Sequence, residues 1–189
     1  MITPRKVRLA AAQTPTATRP ITGVAPTSDS DSPMAPGLPG VIAIVYDDLP
    51  ECGMITGFTY GISLANNPLW RFGKPELCIS VRSDDVRWPL ALGRIGEGQR
   101  GNPFQIGDTI NIGERIASDS DMTAFVIFAP AVLDREDYTG INIGETLPIN
   151  LSGLYPIHEA ERRYIQDHGI GAFWDLDWDP YDVSRPSVV

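Results

Sequence analysis

The feature that most constrains this chain is the order of its hydrophobic periodicities: strand-like runs dominate, and only two stretches carry helical spacing. Val41-Ile42-Ala43-Ile44-Val45-Tyr46 is a continuous β-branched run, suited to a strand buried on both faces. Met54 to Leu64 alternates and holds two glycines, so it reads as a second strand with a local kink. Glu76 to Val81 alternates as a third and is broken by Ser83-Asp84-Asp85. Trp88, Leu92 and Ile95 then fall at helical spacing, with Pro89 in the first turn. Asp108 to Ile112 opens a hairpin through Gly113, Thr123 to Phe128 is a central strand closed by Pro130, and Ile141 to Leu151 offers two short strands. A second helix is expected from Pro156 to a C-cap at Gly169, with Ile157, Ala160, Tyr164 and Ile165 on one face. Glu159, Glu161, Arg162, Arg163, Gln166 and Asp167 fill its remaining positions. This order predicts an α+β fold: a mixed, mainly antiparallel sheet flanked by a few helices. It lacks the strict alternation of a doubly wound nucleotide-binding fold.

The pattern begins only near Gly40. Residues 1–39 are dominated by Pro, Thr, Ser, Ala and Gly and hold too little apolar surface to offset the entropy of ordering. They read as a disordered or extended arm, leaving residues 40–189 as one domain. The first 28 residues carry four cations and no acid, so the arm either lies against an acidic region or is simply a tail. Such a region exists: residues 119–189 carry 13 acidic and 4 basic side chains, the whole of the net charge of −9. That balance disfavours nucleic acid and anionic membranes and favours a basic protein partner; solubility alone is the other reading.

No apolar run approaches the roughly 18 residues of a membrane span. The basic N-terminus is followed by Leu9-Ala10-Ala11-Ala12, too short for a signal-peptide core, so the cytoplasm is the expected compartment. Cys52 and Cys78 make neither a disulfide framework nor a metal motif; Cys78 reads as a core thiol and Cys52 as a turn residue.

Motifs for chemistry fail one by one. His158-Glu159 opens as a zinc-protease helix does, but the second ligand position holds Arg162, whose guanidinium has no lone pair for a metal. Asp175, Asp177 and Asp179 match the start of a calcium loop, yet Pro180 stands where glycine is required and Pro186 where the bidentate Glu belongs. Ser63 lacks the second glycine of a nucleophile elbow. No cofactor and no metal are expected. A carboxylate pair working as a hydrolase is the enzyme alternative, since carboxylates are plentiful.

Five segments in order resemble the suppressor-of-fused (SUFU-like) domain family. Thr56-Gly57-Phe58-Thr59-Tyr60-Gly61-Ile62-Ser63 resembles its T-x-G-x-S strand, and Glu76 to Val81 its next strand, opened by a Glu-Leu pair. Trp88, Leu90 and Leu92 resemble the following helix, and Phe104 to Ile110 its F-x-x-G-D segment. Leu154 to Glu161 resembles its L-x-P-I-x-x-x-E approach to the last helix. The glycine-rich stretch Gly93 to Gly101 departs from the pattern, being short of the apolar residues a long helix wants. The resemblance implies binding rather than catalysis, and a single-domain bacterial form. It implies an immunity protein that neutralises a toxin, or a regulatory protein that sequesters another factor.

The segment that best suits a partner is Phe173 to Asp182. Alternation puts Trp174, Leu176 and Trp178 on one side and Asp175, Asp177 and Asp179 on the other. Aromatic anchors with an acidic rim suit a basic partner, such as a toxin domain. The same pattern suits an edge strand whose aspartates guard it from aggregation, and the two readings are compatible.

Overall fold

The computed structural model describes residues 37–103 and 105–189, together with the strand Ile21–Thr22. The rest of the expected arm, and Phe104, lie outside the described residues. Strand β1 (Ile21–Thr22) pairs with β2 (Ile42–Asp47), followed by β3 (Ile55–Tyr60) and a 3-10 turn at Ile62–Leu64. Next come β4 (Lys74–Val81), α1 (Arg87–Gln99), β5 (Thr109–Asn111) and β6 (Ala124–Phe128). The chain ends through α2 (Arg135–Tyr138), β7 (Ile149–Ile157) and α3 (Glu159–Trp174). The sheet runs β1-β2-β3-β4-β7-β6-β5. Every pairing is antiparallel except β4 with β7, which the crossover through α1 and the β5–β6 hairpin brings in parallel. The expected α+β class and mixed, mainly antiparallel sheet are what the chain forms.

Two cores lie on opposite faces. α1 packs on β2, β3 and β4, enclosing Val45, Ile55, Leu77, Ile79, Trp88, Leu92 and Ile95. Phe125 of β6 closes this core, edge-to-face with Trp88 at 6.2 Å. On the other face, Ala124 and Val126 of β6 and Tyr155 and Ile157 of β7 meet Ile165 and Phe173 of α3. β6 is therefore buried on both sides, which is why its sequence is a continuous apolar run.

Three expectations change. β2 is not buried on both faces: Ala43 and Val45 are buried beneath α1, while Ile42 and Ile44 are half-buried and Tyr46 is exposed. α1 runs through Gly93 and Gly96 to Gln99, where the glycines suggested a loop. Those glycines allow the helix to approach the sheet. A Cβ on Gly96 would stand 2.8 Å from Ile62 Cδ1, and one on Gly57 of β3 would stand 2.5 Å from Pro89 Cβ. Finally, Ile141–Leu151 is one bridge, Ile141 to Ile149, leading into a single nine-residue strand rather than two short ones.

The last helix also begins and ends differently. Pro156 and Ile157 belong to β7, opposite Phe125 and Ala124. Beyond Gly153, β7 no longer has β4 beside it, so a residue without an N–H is tolerated there. The helix starts at Glu159, which rotates its buried face onto Glu161 and Ile165 and leaves Ala160 exposed. Gly169 (φ 84°, ψ 160°) does interrupt it, but helical structure resumes to Trp174.

Candidate functional site

The family-like motifs converge on two buried carboxylates, Glu76 and Glu161, which the sequence reading placed within motifs but not at a site. Glu76, only 4% exposed, opens β4 beneath the turn that ends β3. Its Oε2 accepts the Thr59 hydroxyl at 2.6 Å, and its Oε1 accepts the Gly61 N–H (3.1 Å), the Ser63 N–H (2.9 Å) and the Ser63 hydroxyl (2.6 Å). The three fixed positions of T-x-G-x-S are thus the donors to one carboxylate. Burying a charge is costly unless donors replace water, and four donors here do so. Arg100, also buried, donates from Nη2 to the carbonyls of Gly61 and Pro39, each at 2.7 Å, which ties the end of α1 to the same turn.

The second is Glu161, with 0% exposure. Its Oε2 accepts the His158 N–H at 2.9 Å, half of a capping box at the start of α3. Its Oε1 accepts the Val188 N–H at 3.1 Å, and both oxygens take the Arg185 guanidinium, Nη2 to Oε2 at 2.9 Å. Arg185 lies 4.7 Å over the Trp178 ring, and its carbonyl meets His158 Nε2 at 2.9 Å. The motif's final Glu therefore fastens the C-terminal segment to the first turn of α3. The signal available in the sequence was the place of Glu161 as the last residue of the L-x-P-I-x-x-x-E resemblance.

The tail residues chosen as partner-binding lie around this clamp. No strand forms there: Trp174 ends α3, and Asp175 to Asp182 is irregular chain. The edge-strand reading is therefore corrected; β1 and β5 hold the sheet's edges. Alternating exposure nonetheless survives, with Trp174, Leu176 and Trp178 half-buried on the second core and Asp175, Asp177 and Asp179 exposed. Trp174 stacks on Phe128 at 4.0 Å and meets Tyr155 and Trp178 edge-to-face at 5.3 Å. Asp179 is bound to Arg82 at the end of β4, 2.5 Å away. Asp175 and Asp177 carry no ion pair among the described residues. The indoles are thus engaged within the fold, and two of the three carboxylates face solvent.

A further concavity lies elsewhere, at β5. A cleft of about 580 Å³ is lined by Gln99 and Asn102 from the end of α1, Gln105, Asp108 and Thr109 beside β5, and Gln166 of α3. Asp108 and Ile112 bond across to β6 through Ile127 N–H and Thr123 C=O. By the alternation of an antiparallel ladder, Ile110 also faces β6, while the N–H and C=O groups of Thr109 and Asn111 point outward. Gln and Asn amides at such an edge both donate and accept. Among the described residues no group of three or more His, Cys, Asp or Glu is placed to hold a metal ion, and no helix is long and apolar enough to cross a membrane.

The chain matches the family model described as Suppressor of fused protein (SUFU) over residues 39–186. Comparison with curated proteins finds no match. Among solved structures, a SUFU homologue from Neisseria gonorrhoeae FA 1090 superposes with a TM-score of 0.63 at 22% identity, covering 80% of each chain. Drosophila Suppressor of Fused superposes with a TM-score of 0.57 at 13% identity, over 79% of this chain and 42% of that one. A chain of the Sufu–Fu complex gives the same TM-score of 0.57 and 13% identity, covering 79% of this chain and 77% of the other. At these identities the superpositions speak to the fold, and the family match spans most of the sequence: the chain belongs to the suppressor-of-fused family.

Proposed function

We propose that this protein is a non-catalytic binding domain that acts stoichiometrically, as an immunity protein occluding a basic toxin domain. The observation that carries the binding reading is the outward edge of β5 opening into an amide-lined cleft, which suits an extended segment of a partner added to the sheet. The acidic last third, in which Asp175 and Asp177 carry no ion pair among the described residues, supports a basic partner by steering its approach. The Sufu–Fu complex, a protein complex of a structural relative, supports a protein partner in general. Sequestering some other regulatory factor is the same mechanism with a different partner. The hydrolase alternative gains nothing from the geometry: Glu76 and Glu161 are engaged by fixed donors, and neither lines the cleft.

The test begins with capture from a host extract at low salt and mass spectrometry of whatever co-elutes, followed by kinetics on the purified pair. A one-to-one complex with a basic, toxin-domain protein is expected, with association that slows as salt rises. Asp175→Lys with Asp177→Lys should slow association by roughly tenfold or more while leaving the melting temperature unchanged. Thr109→Pro, which removes an outward donor of β5, should raise the dissociation rate. Affinity indifferent to salt and to all three substitutions would remove this surface from the function.

A further inference from the structure

β5 closes one edge of the sheet, and nothing in it guards against pairing. Thr109–Asn111 holds no proline, no lysine and no other charge, the devices that usually blunt an open edge. The bonds to β6 come from Asp108, Ile110 and Ile112, so the N–H and C=O groups of Thr109 and Asn111 point away from the sheet. These backbone groups stand in a row, open to another strand. The side chains around them are amides rather than ions, with Asn102, Gln105 and Gln166 exposed and Gln99 half-buried.

We infer that a second copy of this chain covers the edge, β5 pairing with β5 across a two-fold axis. An antiparallel pair closes on itself when one residue lies on the axis, and Ile110 is that residue. Thr109 then stands opposite Asn111 of the second copy, and Asn111 opposite Thr109, each pair exchanging both its N–H···O=C bonds. The side chains agree with this register. Thr109 and Asn111 lie on the α3 face, beside Val126 and Ala124 of β6, and set polar groups against polar groups across the axis. Ile110, half-buried against the α1 core, meets Ile110 of the second copy and extends that core.

Charge also favours a second copy at this place. With a net charge of −9, two copies repel over most of their surface. Amides both donate and accept, so a surface lined by them meets its own image without a like-charge contact. Asp108 is the only ionised side chain lining the cleft among the described residues, and its Oδ2 accepts the Gln105 N–H at 3.0 Å. In the two-fold register Asp108 stands opposite Ile112, about 13 Å along the strands from its image at ~3.4 Å per residue. That exceeds the roughly 8 Å over which exposed charges act at physiological ionic strength. The ladder is short, three residues from each copy, so the association is reversible. Taking this edge as the partner's binding surface, the paired form is a reserve that a partner's strand has to open. That competition rests on the proposed function; the self-pairing does not.

The experiment is sedimentation equilibrium of the purified chain alone, from dilute to concentrated, with hydrogen exchange read amide by amide at both ends of the range. A mass that climbs from one chain toward two is expected, with exchange slowing at the Thr109 and Asn111 amides. Thr109→Pro, which removes an outward donor, should abolish the climb. Asn111→Asp decides the matter if that variant does not fold. It is isosteric and keeps the acceptor for the Gly113 N–H, now 2.7 Å from the Asn111 Oδ1. It also sets two carboxylates about 7 Å apart along the strands, inside the screening length of roughly 8 Å, and should weaken self-association several-fold. The same change adds acid to the edge and does not slow capture of a basic partner, so the two kinds of binding separate. Three results would overturn the inference. The first is the mass of one chain at every concentration. The second is a climb in which the Thr109 and Asn111 amides exchange as they do when dilute, which puts the contact elsewhere. The third is a climb indifferent to Asn111→Asp. Each of them leaves the partner reading standing, since that is tested by capture.

Discussion

Replacing Arg185 by Met tests whether the C-terminal clamp is a buried charge pair or an incidental contact. The guanidinium makes two charge-assisted hydrogen bonds to Glu161, with the two side chains 6% and 0% exposed. Met restores much of the apolar stem but leaves the carboxylate with only the backbone donors of His158 and Val188. Breaking one side of a buried pair costs about 3–5 kcal/mol, chiefly because the remaining charge is desolvated and unmatched. For a domain of this size that corresponds to a fall of roughly 6–20 °C in melting temperature. The assay is urea unfolding followed by tryptophan fluorescence, Trp88 being fully buried. Arg94→Ala is the internal control, since its pair with Glu114 spans 3.4 Å with side chains 77% and 67% exposed. That pair is worth about 0.5 kcal/mol or less. Combining Arg185→Met with Glu161→Leu removes both charges, and the double variant should be more stable than Arg185→Met alone. Should Arg185→Met fail to fold, Arg185→Lys keeps the charge but loses the fork, at a cost of about 1–2 kcal/mol. If Arg185→Met costs no more than Arg94→Ala, the carboxylate is not desolvated and the reasoning fails.

Two alanines in one helix should act in opposite directions. At Gly96 the new methyl meets Ile62 and Val41, so stability should fall by about 1–2 kcal/mol despite better helix propensity. At Gly98 nothing lies within 4 Å, and alanine should add about 0.5–1 kcal/mol; equal shifts in urea midpoint would refute the close approach of α1. The Asp85 carboxyl is held down at about 2, first by the Arg87 side-chain hydrogen bond. Its contribution is present above its unfolded value of about 4 and lost as pH falls toward 2, so Asp85→Asn should flatten stability across that window. Glu159, held at about 2 first by Arg162, titrates in the same window, so the flattening should be partial. Burial pushes the Cys78 thiol up to about 12, whereas Cys52 is exposed. A thiol reagent should therefore titrate one cysteine in the native protein and two in denaturant; two in the native state would place Cys78 near the surface.

The fold class was legible because periodicity records which side of an element meets the core. The apolar run of Thr123 to Phe128 and the spacing of Trp88, Leu92 and Ile95 appear as expected, and Glu76 to Val81 is a strand, although it is buried on both faces and its polar alternates Glu76 and Ser80 lie inside the fold. Where the reading went astray, the deciding partner was distant in sequence. Gly93 and Gly96 look like a loop until β2 and Ile62 are seen against them. Pro156 looks like a first helical turn until β6 pairs with it.

The candidate site divides in the same way. The sequence by itself determined the elements and their approximate order, the excess of acid in the last third, and the in-and-out alternation of Trp174 to Asp179, because these depend on composition and local spacing. Only the tertiary structure decided that Glu76 and Glu161 are the buried centres, that Asp179 is bound to Arg82, and that an outward edge of β5 borders a cleft. Those facts rest on pairings 13 to 97 residues apart along the chain. A carboxylate in a sequence looks the same whether it faces water or four donors, and only the folded chain brings the donors to it.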